Sequence, residues 1–314
     1  MDIEGLSPPE QALVEATARG EQVDVRRQPI RAAVLRDLIL ETRAGWVLPP
    51  AGLRMSRAIV QGCLDLDGAT VSKPLQFRHS RFEGVDGQAI IVRDARLKRL
   101  GIHSSTVEGA IIADRIDVES GLFLGGGRIS GVVQVRGGSI GGAFVLEGNE
   151  VGDGKAAVLA AGLRLSGPLI LRRAQASGVV SLPRAAIGAG IYAEDAILTA
   201  DPIALDCEST RIDGDILLDG AKLKGALRLA AARVGGRIAA RRLEVAVAAG
   251  CDAVMAGGLD VGQSLELVEA KLAGSLRLEG ASIAKEFAAE RLDIEGGTTA
   301  IGADIVRIGG NWDL

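Results

Sequence analysis

The stretch "ILLDGAKLKGALRLAAARVGGRIAARRLEV", residues 216–245, carries apolar residues at an unusual spacing. From Leu218 onward they follow steps of 5, 6, 5, 6 and 5 residues. These steps fit neither the 3.6-residue period of a helix nor the two-residue period of a strand. Short extended segments joined by tight corners would produce them. The six positions are Leu218, Leu223, Leu229, Val234, Ala240 and Val245.

The same ladder of six positions occurs four times. It begins at Leu124, Leu171, Leu218 and Leu267, so the copies are 47, 47 and 49 residues apart. All 24 positions are apolar in a chain that is 47% hydrophobic. A second signature, "AIIADRIDV" at 110–118, recurs at 157–165, 204–212, 253–261 and 300–308. Self-similarity at a fixed period predicts a stack of repeats, each buried by its neighbours.

Four steps make one square coil of about 22 residues, and two coils plus a short loop make the long repeat. The loops recur at one corner, in residues 84–88, 152–155, 199–202, 246–251 and 295–299. About eleven coils follow Met55, which at about 4.8 Å per stacked strand gives a rod about 50 Å long. We therefore predict an all-β quadrilateral β-solenoid over residues 51–314.

The composition fits a narrow lumen. Only 3% of the residues are aromatic and 43 are Gly, so the core must close around aliphatic side chains. We expect the lumen to hold a few rings, such as Phe123, Phe144 and Phe287. Residues 1–50 differ in pattern and predict an N-terminal helical cap. Its helices would run from Ser7 to Gly20 and from Pro29 to about Gly45.

The five-residue step resembles pentapeptide-repeat proteins, which form right-handed quadrilateral β-helices. A closer resemblance is to an uncharacterised bacterial β-solenoid family with a repeat of about 47 residues. It rests on "ALDCESTRIDGDILLDGAKLKGALRLAAARVGG" (204–236) and "PIRAAVLRDLILETRAGWVLPPAGLRMSRAIVQGCLDL" (29–66). Some members are labelled membrane-associated oxidoreductase, and nothing in this sequence supports that label. The resemblance implies no established activity.

The C-terminal coil, in contrast to the N-terminal one, carries no cap in the sequence. Ile308, Trp312 and Leu314 fall where stacked apolar side chains belong. An open solenoid end exposes strand edges and lumen residues. We expect self-association through these three residues, as a homodimer or a higher assembly. The alternative is that the last residues fold across the end and plug it.

Residues that carry chemistry are scattered. His79 and His103 lie 24 positions apart, and Cys63, Cys207 and Cys251 are neither paired in spacing nor close to a base. Cys207 takes a place that Ala holds in other copies. The Gly-rich stretches lie within the ladder, and no helix follows them. We therefore expect no enzyme activity, cofactor or metal.

Charge varies along the chain although the net charge is only −4. Residues 194–220 are acidic, and residues 221–243 hold seven bases and no acid. The basic run is either a partner-binding patch or a set of charges paired between adjacent coils. The candidate patch residues are Arg228, Arg233, Arg237, Arg241 and Arg242.

A protein partner is the main alternative to a self-associating scaffold. Nucleic acid is a less favoured partner, because the chain has no strong basic excess. A binding module of pentapeptide-repeat type would act on DNA-processing machinery. The sequence contains no signal peptide and no apolar run long enough to span a membrane, so we expect a cytoplasmic protein.

Overall fold

A computed structural model of the chain describes residues 3–295 and 300–313. Nearly all of its secondary structure is parallel β-strand wound into a solenoid, which confirms the predicted fold class. Each turn has four faces, and strands pair in parallel with those of the turns on either side. Ile216, for example, pairs with Ile238, 22 positions later.

The strands form four faces, which we number in chain order. Face 1 holds Val23–Asp24, Leu53–Ser56, Leu75–Arg78, Leu100–His103, Gly121–Phe123, Ala143–Val145, Leu169–Ile170, Ile191–Tyr192, Ile216–Leu217, Ile238–Ala239, Leu265–Glu266, Phe287–Ala288 and Trp312–Asp313. Face 4 holds Thr70–Val71, Arg96–Leu97, Asp117–Val118, Ser139–Ile140, Arg164–Leu165, Ala186–Ile187, Arg211–Ile212, Arg233–Val234, Asp260–Val261, Ser282–Ile283 and Arg307–Ile308.

Faces 2 and 3 are joined where long strands bend around their shared corner. Face 2 holds Pro29–Arg31, Ile59–Gln61, Arg128–Ile129, Glu150–Val151, Gln175–Ser177, Glu244–Ala246, Lys271–Ala273 and Asp293–Ile294. Face 3 holds Leu64–Asp65, Val133–Gln134, Ala156–Leu159, Val179–Ser181, Asp252–Met255, Ser275–Arg277 and Ile301–Gly302. The strands that cross both faces are Arg81–Ile91, Thr106–Ile112, Ile197–Asp206 and Lys222–Arg228.

Among the described residues, face 4 has eleven strands, one for each coil. We number each coil by its inward residue on face 1, so that coil 1 begins at Leu53, coil 6 at Leu169 and coil 11 at Phe287. Extra residues enter at the corner between faces 2 and 3, where the strand register shifts. The first four predicted loops lie at this corner, and residues 296–299 of the fifth lie outside the described residues.

The five-residue steps pass through corners that need a left-handed backbone. One such residue joins faces 1 and 2 in each coil, and another joins faces 3 and 4. The first set is Arg57, His79, Ser104, Gly126, Gly148, Arg173, Asp195, Gly220, Arg242, Glu269 and Arg291. The second set is Gly68, Asp94, Arg115, Gly137, Gly162, Arg184, Ser209, Ala231, Gly258, Gly280 and Ile305. A single residue with φ near +60° turns the chain sharply and so explains the short step.

The lumen is a continuous aliphatic core. Of the 24 predicted ladder positions, all are buried except Ile294, which is half-buried in coil 11. Phe77, Phe82, Phe144 and Phe287 fill the lumen where rings fit. The prediction for Phe123 was wrong, because Leu122 and Leu124 point inward and strand alternation turns Phe123 outward.

The N-terminal end is covered by two helices and two strands. Helix α1 spans Pro8–Ala18, where the Ser7 backbone N–H donates to the Glu10 carboxylate, and Gly20 follows with φ +76°. Helix α2 spans Ala32–Ile39, so it begins and ends inside the predicted range. Residues 29–31 are a strand instead, because they pair with residues 59–61 of coil 1. The predicted domain boundary at residue 50 stays a prediction.

Neither helix is long enough to cross a membrane. Helix α1 has 11 residues and α2 has eight, and within residues 3–295 and 300–313 no other α-helix exists.

Candidate functional site

The inward column of face 1 ends at an exposed indole. Its register runs unbroken through Leu265 and Phe287 to Trp312. The ring centroids of Phe287 and Trp312 lie 5.7 Å apart at 74°, an edge-on packing. The Phe287 side chain is fully buried, whereas Trp312 is 44% exposed. Trp312 therefore occupies a lumen position that lacks a covering coil among the described residues.

Other lumen positions of coil 11 are also open. Ile294, Ile301, Val306 and Ile308 are half-buried. The equivalent side chains one coil earlier, Leu272, Leu276, Ala281 and Ile283, are at most 1% exposed. The difference arises because coil 10 has neighbours on both sides and coil 11 has a described neighbour on one side. Four faces thus present apolar side chains at the same end of the rod.

The backbone at this end is also available for pairing. The strands Ile301–Gly302, Arg307–Ile308 and Trp312–Asp313 each pair with one strand, in coil 10 or coil 11. Within residues 300–313 their outer edges have no strand partner. Such edges carry N–H and C=O groups that another strand can bind. Of the three predicted association residues, Ile308 and Trp312 contribute to this surface, and Leu314 lies outside the described residues.

The predicted arginine patch is divided among three faces and one corner. Arg228, on face 3, lies 3.5 Å from Glu208 of the preceding coil. Arg237 and Arg241 both contact Glu266 of the next coil, at 3.3 and 2.6 Å. The hydrogen bonds that Arg241 donates to the Glu266 carboxylate raise the pKa of the Arg241 guanidinium above its usual value.

Two arginines of the predicted patch are not in ion pairs among the described residues. Arg233 lies outward on face 4, and Arg242 occupies a left-handed corner. Neither forms an ion pair with any described residue, and both are exposed. The structure therefore does not bring the five arginines together as one patch.

The histidines and cysteines do not form a metal-binding cluster within the described residues. His79 is a corner residue, and His103 points outward from face 1. Burial, with help from Arg78 and Arg99, lowers the pKa of His103. Cys207 is fully buried, and burial raises the pKa of its thiol, which makes it a poor nucleophile. Within the described residues, no three His, Cys, Asp or Glu side chains lie together as metal ligands would.

A shallow groove of about 380 Å³ runs along face 2. Its polar walls include Arg128, Glu150, Gln175 and Thr199. Arg128 and Glu150 lie 3.5 Å apart and satisfy each other. No described His or Cys lines this groove.

Comparison of the chain with protein-family models gave no match, and comparison with curated proteins gave none either. The resemblance to the 47-residue repeat family therefore stays a prediction.

Proposed function

We propose that this protein is a non-enzymatic scaffold, a β-solenoid rod that self-associates through the outer side of coil 11. The observation that carries the proposal is the exposure of lumen positions there, above all Trp312 at 44%. A parallel β-solenoid suits a structural or binding role, because the interior is filled and the outer faces remain available. The three free cysteines fit a reducing cytoplasm.

A second copy of the chain can cover the exposed lumen positions of coil 11. Coil 11 of the second copy carries the same apolar side chains on its four faces. A two-fold contact therefore places apolar surface of one copy against apolar surface of the other. Burying one large apolar side chain contributes about 1.5–3 kcal/mol, and pairing of strand edges adds to that. The cross-section of a coil is only about 16 Å on a side, or about 250 Å², well below the ~800 Å² per partner of a standard stable interface. We therefore expect a concentration-dependent dimer.

Light scattering tests this proposal. The mass of the full chain should rise with its concentration, and Trp312→Asp should lose the share of this rise that comes from coil 11, because an aspartate cannot be buried unpaired at low cost. Val85→Asp is the matched control, since Val85 is also exposed, at 53%, but lies on the loop of coil 2. This control should dimerise like the wild type. A monomeric wild type, or equal masses for wild type and Trp312→Asp, would overturn the proposal.

A binding module for an acidic partner is the second candidate. Arg211 and Arg233 are neighbours in register on face 4, and Arg233 and Arg242 have no acidic partner among the residues described. A polyanion such as DNA would bind such charges in a salt-dependent manner. Gel-shift titration of the wild type against an Arg233→Ala/Arg242→Ala double variant tests this. Absence of binding at low salt removes this candidate.

A further inference from the structure

The outer surface of face 1 carries an apolar stripe. Successive coils place one outward side chain in register at its centre. From coil 4 to coil 8 these side chains are all apolar and half-buried, namely Phe123, Val145, Ile170, Tyr192 and Leu217. Corresponding columns on the other three faces are interrupted by charged or polar residues throughout the described coils. These side chains point away from the lumen, so packing of the core does not explain why all five are apolar.

The two rings of the stripe are held flat against the sheet. A Cβ added at Gly121 would lie 2.9 Å from the Phe123 ring, and one at Gly190 would lie 2.8 Å from the Tyr192 ring. Each ring also packs under an arginine, Arg99 at 4.3 Å from the Phe123 centroid and Arg172 at 5.0 Å from that of Tyr192. The glycines and arginines pre-organise a flat surface, which lowers the entropic cost of covering it.

Charges of opposite sign flank the stripe on the same face. Coils 1 to 4 present three arginines and no acid there, namely Arg54, Arg78 and Arg99. Coils 8 to 11 and the strand after them present six acids against Arg237 and Arg241, namely Asp215, Asp219, Glu266, Glu286, Glu290 and Asp313. Arg78 and Arg99 at one end, and Glu286, Glu290 and Asp313 at the other, form no ion pair within the described part of the chain. In coils 5 to 7, Glu147, Arg172 and Glu194 lie beside the stripe, and all three are in ion pairs. The unpaired charge of the face is therefore basic at one end of the stripe and acidic at the other.

We propose that face 1 binds a second copy of the chain, packed side by side and antiparallel. A two-fold axis at Ile170 places this residue against its own copy, Val145 against Tyr192, and Phe123 against Leu217. The same axis brings coil 2, with Arg78, opposite coil 10, with Glu266, and brings coil 1 opposite coil 11, with Glu286 and Glu290. It also brings coil 3, with Arg99, opposite coil 9, where the charges of Arg237 and Arg241 are offset by their contacts with Glu266. Apolar surface thus covers apolar surface, and the basic end meets the acidic end.

The surface area needed for a stable dimer indicates that the whole of face 1 takes part in the contact. The stripe alone covers about 24 Å by about 16 Å, or about 400 Å², half of what a standard interface buries on each partner. Eleven coils extend the face to about 50 Å and about 800 Å², which reaches that size. The charged ends are therefore part of the interface. A parallel arrangement would instead bring like charges together at both ends.

Cross-linking in a chosen register tests this inference. The parent carries Cys63→Ser, Cys251→Ser and Trp312→Asp, which remove the accessible thiols and the coil 11 contact. Adding Ile170→Cys should give a disulfide dimer on mild oxidation, because the two thiols meet at the axis. Ser181→Cys is the matched control, on face 3 of the same coil, and should stay monomeric.

Two further variants fix the direction. Leu217→Cys alone should not cross-link, since its copies would lie four coils, about 19 Å, apart. A mixture of Phe123→Cys and Leu217→Cys proteins should give the mixed dimer. Failure of Ile170→Cys to cross-link overturns the proposal, and so does a Leu217→Cys self-dimer as abundant as that of Ile170→Cys. Because the parent lacks Trp312, these outcomes are independent of association through coil 11.

Discussion

Ile305 and Gly280 occupy the same corner in successive coils, and both have a left-handed backbone, with φ of 58° and 69°. Glycine adopts this conformation without steric cost, whereas a β-branched side chain is strained there. The Ile305 side chain is 81% exposed, so it gains little packing in return. This corner is therefore a weak point of coil 11.

Replacement of Ile305 by glycine should stabilise the protein. We expect the free energy of unfolding to rise by about 1 kcal/mol, because the left-handed strain is relieved. Ile305→Ala is the matched control, since it removes the same exposed side chain but keeps a Cβ at positive φ. Chemical denaturation of both variants measures the difference. Equal stability of the two variants would show that the strain is absent.

A methyl group at Gly214 should be severely destabilising. An added Cβ would overlap the carbonyl oxygen of Ala189, on the preceding coil at the corner between faces 4 and 1. Gly214→Ala must push two coils apart, and we expect a loss of about 3 kcal/mol. Gly257→Ala is the control, because its Cβ would meet only the Glu279 carbonyl oxygen at 3.7 Å. Thermal unfolding of both variants should therefore separate them clearly.

The N-terminal cap should lose stability in acid through one buried carboxylate. The Glu10 side chain is 1% exposed and contacts Arg31 at 2.6 Å. Burial alone would raise the pKa of Glu10, but hydrogen bonds from Arg31 and from the Ser7 backbone outweigh it and lower the pKa to about 2. Since the unfolded value is 4.5, the stabilisation is complete above about pH 4.5 and is lost as the pH falls towards 2.

The expected loss from this carboxylate is roughly 3 kcal/mol between pH 5 and pH 2. Glu10→Gln should be less stable at neutral pH and should lack this part of the pH dependence. Glu15→Gln, on the exposed side of the same helix, should retain it. Unfolding of the cap, followed by hydrogen exchange of residues 8–39 at several pH values, measures it. An unchanged pH profile in Glu10→Gln would contradict the assignment.

Periodicity alone predicted most of the fold. The 5-6 ladder identified lumen positions such as Leu218 and Leu223 because inward side chains must recur once per face. Phe123 was placed wrongly because ring size suggested a core residue, whereas its position next to Leu124 decides its direction. The helical period of residues 29–45 predicts a helix that starts at Pro29. Residues 29–31 form a strand instead, because they pair with the exposed edge of strand Ile59–Gln61 in coil 1.

Ion pairing was only partly predictable. The acidic and basic runs of the sequence predicted ion pairs between adjacent coils, as between Arg228 and Glu208. Arg237 and Arg241 pair instead with Glu266, 29 and 25 positions later, because all three lie on face 1. The face on which a residue lies depends on the strand register of the whole solenoid. A local pattern of charges in the sequence does not reveal that register. The apolar stripe was missed for the same reason, since its members are about 22 to 25 positions apart.

Concentration-dependent hydrogen exchange tests self-association at coil 11 most directly. The wild type is labelled at a low and at a high protein concentration, with Trp312→Asp as the reference. We predict that amides in residues 300–313 become more protected at the high concentration. Trp312→Asp should show no such gain. Equal exchange of residues 300–313 at both concentrations, in a sample whose mass has doubled, would contradict association through this coil.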